Sequence, residues 1–356
     1  MYGKALVAIH FDRLLSRRCA SHLLIGCVLA LGACATDTLV VKGRGNALSY
    51  VDGVRDMAPI PLAERALPTA MAEPFVKVSD VPFAVEGPSF DRQGNLYFLD
   101  VYSGRVLRLT PDGQLSTVYT DKSLAPAGSA VHKDGRLFLA GVGNLSVGSI
   151  VAINPDGGNP QTIVPASAGY VPDDLVFDDK GGIYFTDFRG TVARPTGGLF
   201  YVSPDYKEIT PVLPNMAMAN GVALSPDGKS VWATEFSAGR LHRGDLGGQG
   251  KVARAFVPYH FIGRAPDSMR TDVDGNVYVA MTLQGRILVF NANGTPVGQI
   301  LLPGRESGRF LRVTSLAFVP GLSDMVIVSR DEGGAGGTMI FKAQGLAKGT
   351  TLYSHQ

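Results

Sequence analysis

Phe90-Asp91-Arg92-Gln93-Gly94-Asn95-Leu96-Tyr97-Phe98 reads as an apolar strand end, a polar turn closed by glycine, and a second apolar strand. This is the pattern of a tight β-hairpin. It returns at Val131 to Phe138 around Gly135, Phe177 to Tyr184 around Gly181, Leu224 to Trp232 around Gly228, and Thr271 to Tyr278 around Gly275. A degenerate copy, Phe318 to Ile327, carries Leu322 in place of the glycine. Turn positions 94, 135, 181, 228, 275 and 322 are 41, 46, 47, 47 and 47 residues apart, long enough for a four-stranded blade. A glycine-led strand follows in each copy, at Gly104, Gly148, Gly198, Gly239, Gly285 and Gly337, and is read as the third strand. The fold expected is all-β, a six-bladed β-propeller over residues 71–356, with the residues near 71 to 80 closing the ring against the last blade.

Composition agrees with one repeat domain rather than two ordinary ones. The chain has 356 residues, and its 44 glycines and 22 prolines suit frequent turns between short strands. All three cysteines, Cys19, Cys27 and Cys34, lie near the start. There, Arg13, Arg17 and Arg18 precede an apolar run, Leu23 to Leu31, that is too short to span a bilayer. The run ends in Leu31-Gly32-Ala33-Cys34, which resembles the bacterial lipoprotein box whose cysteine is lipidated. Residues 1–33 are therefore expected to be a lipoprotein signal peptide, Cys34 the lipidation site, and residues 34–70 a tether. Ala35 after the cysteine resembles outer-membrane sorting, so an exported lipoprotein on the periplasmic face of the bacterial outer membrane is expected. Beyond Cys34 no second thiol remains for a disulfide. Losing residues 1–33 removes four basic and one acidic residue and leaves a net charge of −1. With no long basic run in the body, a nucleic-acid or anionic-membrane surface is not expected, and membrane contact is assigned to the lipid anchor alone. The sequence does not set an oligomeric state.

The chemistry lies in one register. Glu86, Asp173, Asn220 and Asp267 each stand eight residues before a turn glycine, so they occupy equivalent places around the propeller axis. If the glycine turns join the innermost strand to the second, these four share the channel mouth with the loops between second and third strands. Carboxylates and an amide oxygen, without cysteine or histidine, form the donor set a hard divalent cation prefers. Ala127 and Thr314 hold this register in the second and sixth blades, leaving one side of the mouth less charged. The competing reading is that short polar residues merely bond backbone at a strand entrance.

Asp272-Val273-Asp274-Gly275-Asn276 looks like the start of a calcium loop, but it lacks the downstream glutamate and is read as a hairpin turn. His132, His242, His260 and His355 fall outside the register and at no mutual metal spacing. No Gly-x-Ser-x-Gly elbow is present. Arg189, on a loop over the mouth, is a candidate to hold a substrate oxygen or carboxylate, with a salt bridge to a rim carboxylate as the alternative.

Val85-Glu86-Gly87-Pro88, Pro172-Asp173-Asp174, Ala219-Asn220-Gly221-Val222 and Pro266-Asp267-Ser268 resemble the signature segments of the SMP-30/gluconolactonase/LRE-like family of six-bladed propellers. Within that family, Tyr184 to Gly190, Gly198 to Asp205 and Val297 to Arg305 resemble the drug-responsive lactonases. The resemblance implies a calcium-dependent hydrolase of small lactones, with Mg2+, Mn2+ or Zn2+ as alternative cations. It implies metal ligation by Glu86, Asp173, Asn220 and Asp267, with Ser268 close by, and proton transfer by Asp267. The second, structural calcium of close relatives is not expected, because Pro165 stands where a ligand aspartate would be. The rival readings are a non-enzymatic envelope propeller with a structural metal, and another metal-dependent esterase.

Overall fold

The computed structural model describes residues 49–263 and 265–356. The expected signal peptide, Cys34 and the tether as far as residue 48 lie outside those residues. The body, from Tyr50 onward, is a ring of six sheets, each built on four antiparallel strands. Blade one runs through Val85–Phe90, Leu96–Asp100, Arg105–Leu109 and Leu115–Thr120. The innermost strands of the next five blades are Pro126–Val131, Pro172–Phe177, Ala219–Leu224, Pro266–Thr271 and Arg312–Phe318. Each touches the one before it, and the sixth touches the first, so the ring is closed around a channel.

The closure is of the expected kind. Glu73–Ser79 supplies the fourth strand of blade six, antiparallel to Gly337–Gln344. Closing the ring leaves only short innermost edges, protected around the channel. The six turns are equivalent down to their hydrogen bonds: Gly94 N–H donates to Asp91 O at 3.2 Å, and Leu322 N–H donates to Val319 O at 3.0 Å. In the sixth turn the positive φ moves to Gly321, at +75°, so Leu322 itself is not strained.

The strands are apolar on both faces because each blade is packed from both sides. Leu96 to Leu99, for example, are all buried. Six apolar layers lie between successive blades, such as Phe138, Ile150, Leu175, Phe185 and Val202 between blades two and three, and Trp232, Met269, Val279 and Phe290 between four and five. Burying a side chain of this size stabilises by about 1.5–3 kcal/mol.

The segment assigned from sequence to the end of the tether packs on blade five. Thr69–Met71 pairs in parallel with Pro296–Leu301 as a fifth strand, and Glu64 is buried against Arg286. Its mixed Gly, Ala and Pro composition carries no strand period, yet one buried acid and three paired residues dock it.

Candidate metal centre

The hairpin register places Glu86, Asp173, Asn220 and Asp267 at the mouth-side ends of four innermost strands. At this level the pairing of each innermost strand with the second slips, between Glu86 and Ser89, Pro172 and Leu175, Ala219 and Val222, and Pro266 and Met269. A bulge of this kind frees backbone groups from the ladder and re-aims a side chain, here toward the channel. Ala127 and Thr314 stand beside the same slip in blades two and six.

Asp173, Asn220, Asp267 and Ser268 are buried, and Glu86 is the most open of the set. Electrostatics shows that the carboxylates converge. Burial, then the charges of Asp267 and Asp173, push Glu86 well above the usual carboxylate range. Burial and Asp173 do the same to Asp267, opposed by the Ser268 N–H and the Asn220 side chain. Asp173 is pushed up to about 8 by burial and the neighbouring Asp174. Asp174 is itself paired, since Arg270 Nη1 donates to its Oδ2 at 2.9 Å. Asn220 Oδ1 is buried without a hydrogen-bond partner.

Among the described residues no group of three or more His, Cys, Asp or Glu side chains stands as a closed metal-holding cluster. The donor chemistry nonetheless fits a hard cation: three mutually repelling carboxylates, one orphaned amide oxygen and no soft ligand.

A second ring surrounds the first, and the sequence reading missed it. The last residue of the second strand is a buried acid in four blades, and each meets an arginine: Asp100 with Arg105 at 2.7 Å, Asp187 with Arg189 at 2.5 Å, Glu235 with Arg240 at 3.5 Å and Asp331 with Arg309 at 2.7 Å. These acids also accept backbone N–H groups, Val171 on Asp187 and Ala217 on Glu235 among them, and so pin the loops of the mouth. Arg189 is therefore held at the rim by Asp187 and keeps a third of its side chain exposed. The acids were legible as the ends of apolar runs, but their arginine partners stand at no constant spacing.

The calcium-loop look-alike is a turn. Asp272 Oδ1 accepts from the N–H groups of Asp274 and Asn276, and Oδ2 accepts from Tyr278. A cavity of about 760 Å³ opens at the turn end of the channel, lined by Phe90, Phe177, Arg270 and Tyr353, and none of the four ring residues lines it.

Residues 84–331 match the model of the SMP-30/gluconolactonase/LRE-like region. The chain belongs to the SMP-30/gluconolactonase/LRE-like family. Among curated proteins, this family member is 46% identical over 313 residues to lactonase drp35 of Staphylococcus saprophyticus, covering 86% of this chain and 97% of that protein. It is 43% identical over 326 residues to lactonase drp35 of Staphylococcus aureus strain USA300, covering 90% and 98%. Two solved structures share its fold. One is regucalcin, described as a calcium-binding protein, from Agrobacterium tumefaciens, with a TM-score of 0.67 at 17% identity, covering 80% of this chain and 99% of that one. The other is a gluconolactonase from Xanthomonas campestris, with a TM-score of 0.62 at 19% identity, covering 77% and 95%.

Proposed function

We propose that the protein is an enzyme that hydrolyses small lactones at the channel mouth with one divalent cation, calcium first among the candidates. Support for the reaction comes from lactonase relatives more than 40% identical over nearly their whole length. The observation that carries the cation is Asn220 Oδ1, buried and unbonded beside carboxylates that repel one another. Glu86, Asp173, Asn220 and Asp267 would hold the ion, and Ser268 lies next to them. Once bound, such an ion supplies Lewis-acid polarisation of an acyl oxygen.

The chain's own groups supply the rest. Asp267 is the base, oriented by the Ser268 N–H, which donates to its Oδ1 at 3.2 Å, and by the Asn220 side chain. It removes a proton from water as the water oxygen joins the acyl carbon. The ring C–O bond then breaks, and the same proton passes to the leaving alkoxide, giving a hydroxy acid. Arg189, fixed in orientation by Asp187, is placed to receive a substrate oxygen at the rim. Residues 1–33 are proposed to direct export and to be removed, leaving the lipidated Cys34 and the tether to hold the enzyme in the cell envelope, and the mass of the mature N-terminus tests that assignment.

The deciding experiment is hydrolysis of a lactone panel by the full chain, after chelation and after return of calcium, magnesium or manganese. Activity that disappears on chelation and returns with one cation supports both halves of the proposal. Turnover that survives complete chelation removes the cation from the chemistry. A chain that binds the cation yet leaves the whole panel intact removes the lactone.

A further inference from the structure

Two threonine hydroxyls tie the ring residues of adjacent blades together. Thr186 and Thr234 lie on the second strands of blades three and four, Ile183–Asp187 and Ser230–Glu235, and both are fully buried. Thr186 Oγ1 accepts the Asp174 N–H at 3.0 Å and donates to the carbonyl of Asn220 in the next blade. Thr234 Oγ1 accepts the Gly221 N–H at 2.7 Å and donates to the carbonyl of Asp267 at 2.8 Å, again one blade on. Each hydroxyl thus takes an amide released by its own blade's bulge and uses its proton to hold the backbone of the following ring residue. The result is one continuous path from Asp173-Asp174 through Asn220-Gly221 to Asp267.

The distribution around the ring separates this from general blade packing. The equivalent second-strand positions of the other blades are Leu99, Ala140, Ala280 and Val328, all apolar. Ring oxygens stand in blades one, three, four and five, so only the steps from three to four and from four to five join two blades that both carry one. A second-strand threonine occurs at those two steps and at no other; the hydroxyl bonds at other steps, Ser129 to the Gly87 carbonyl and Thr314 to the Val85 carbonyl, come from the innermost strands.

We infer that Thr186 and Thr234 are positioning residues for the metal ring, setting Asn220 and Asp267 relative to Asp173 through their main chains. The inference rests on the cation-ring reading and does not depend on the substrate. Groups that fix ligands from behind typically contribute about 10- to 100-fold to metal affinity or activity.

The test compares full-length Thr234→Val, which keeps the shape and removes the hydroxyl, with Thr234→Ser, which keeps the hydroxyl. Val328→Ala, a buried change in blade six, serves as a stability control. Calcium affinity is read by calorimetry, unfolding temperature by thermal denaturation, and kcat and KM on any lactone turned over. Expected are an affinity loss of about tenfold or more in Thr234→Val, recovery to near wild type in Thr234→Ser, and unchanged affinity in Val328→Ala although its unfolding temperature falls. Lactone turnover should lose kcat more than KM. The inference is overturned if Thr234→Val binds calcium as wild type does, if serine fails to restore binding, if Val328→Ala loses as much, or if the wild type binds no divalent cation. A wild type that shows this affinity pattern but turns over no lactone would sink the proposed reaction and support the positioning role.

Discussion

Arg286 of blade five donates its guanidinium to the carboxylate of Glu64, 222 residues earlier in the chain, and both side chains are withdrawn from solvent. The pair is fully dressed: Gln284 and Gln299 accept from Arg286 at 2.9 and 2.8 Å, and Tyr259 donates to Glu64 at 2.5 Å. Removing one partner strands the other charge in the interior. Glu64→Ala should therefore cost about 3–5 kcal/mol, read as a loss in denaturant midpoint. A double replacement of both partners by apolar residues should cost less than the single change.

Glu86 and Asp267 share the ring but should fail differently. Asp267 carries the proposed proton transfer, so Asp267→Asn should retain the cation and lose about 100- to 10,000-fold in kcat. Glu86→Gln should mainly weaken cation affinity, with turnover restored at high cation concentration. Equal losses of affinity and kcat in the two variants would contradict this division of labour.

At the surface, Asp134 gives a pH dependence of small size. Burial alone would raise its pKa, but hydrogen bonds from Arg136 and from His132 outweigh it and hold the carboxyl at about 2. A depressed folded pKa stabilises above the ordinary aspartate value and loses that contribution as pH falls toward 2. Because the side chain is well exposed, the contribution should be no more than about 1 kcal/mol. Asp134→Asn should lower the unfolding temperature slightly at pH 6 and not at pH 2.

Much of the architecture was legible because it repeats. Six equivalent turns set the blades, and one register put Glu86, Asp173, Asn220 and Asp267 at equivalent strand positions. The hydroxyls of Thr186 and Thr234 were not legible, since a threonine within an apolar strand reads as ordinary strand composition. Nor was the Glu64–Arg286 pair, whose partners have neither local spacing nor repeat register to link them. Arg189 was found as a mouth residue, with a rim salt bridge as its alternative role, but that its partner is Asp187, two residues away, depends on a loop geometry that spacing does not encode.

Glycine at 221 follows Asn220 directly, and the reason is contact with the next ring residue rather than a strained backbone. A Cβ there would come within 2.6 Å of the Asp267 carbonyl oxygen and 2.8 Å of the Ser268 Cα. Gly128 meets the Asp173 carbonyl oxygen in the same way, at 2.4 Å. Neither obstacle is a flexible side-chain tip, so the neighbouring innermost strand itself must move. That strand carries a ring residue in both cases, and displacing a reacting group by about 1 Å can cost about 100-fold in rate. Gly221→Ala should therefore cut kcat far more than its stability cost of about 1–3 kcal/mol implies. Gly113→Ala is the control, because its Cβ would meet nothing within 4 Å although its φ of +86° is strained. If both alanines lower the unfolding temperature but only Gly221→Ala removes activity and cation binding, close blade approach is what sets the ring. If Gly221→Ala retains full turnover, the innermost strands have more freedom than this packing allows.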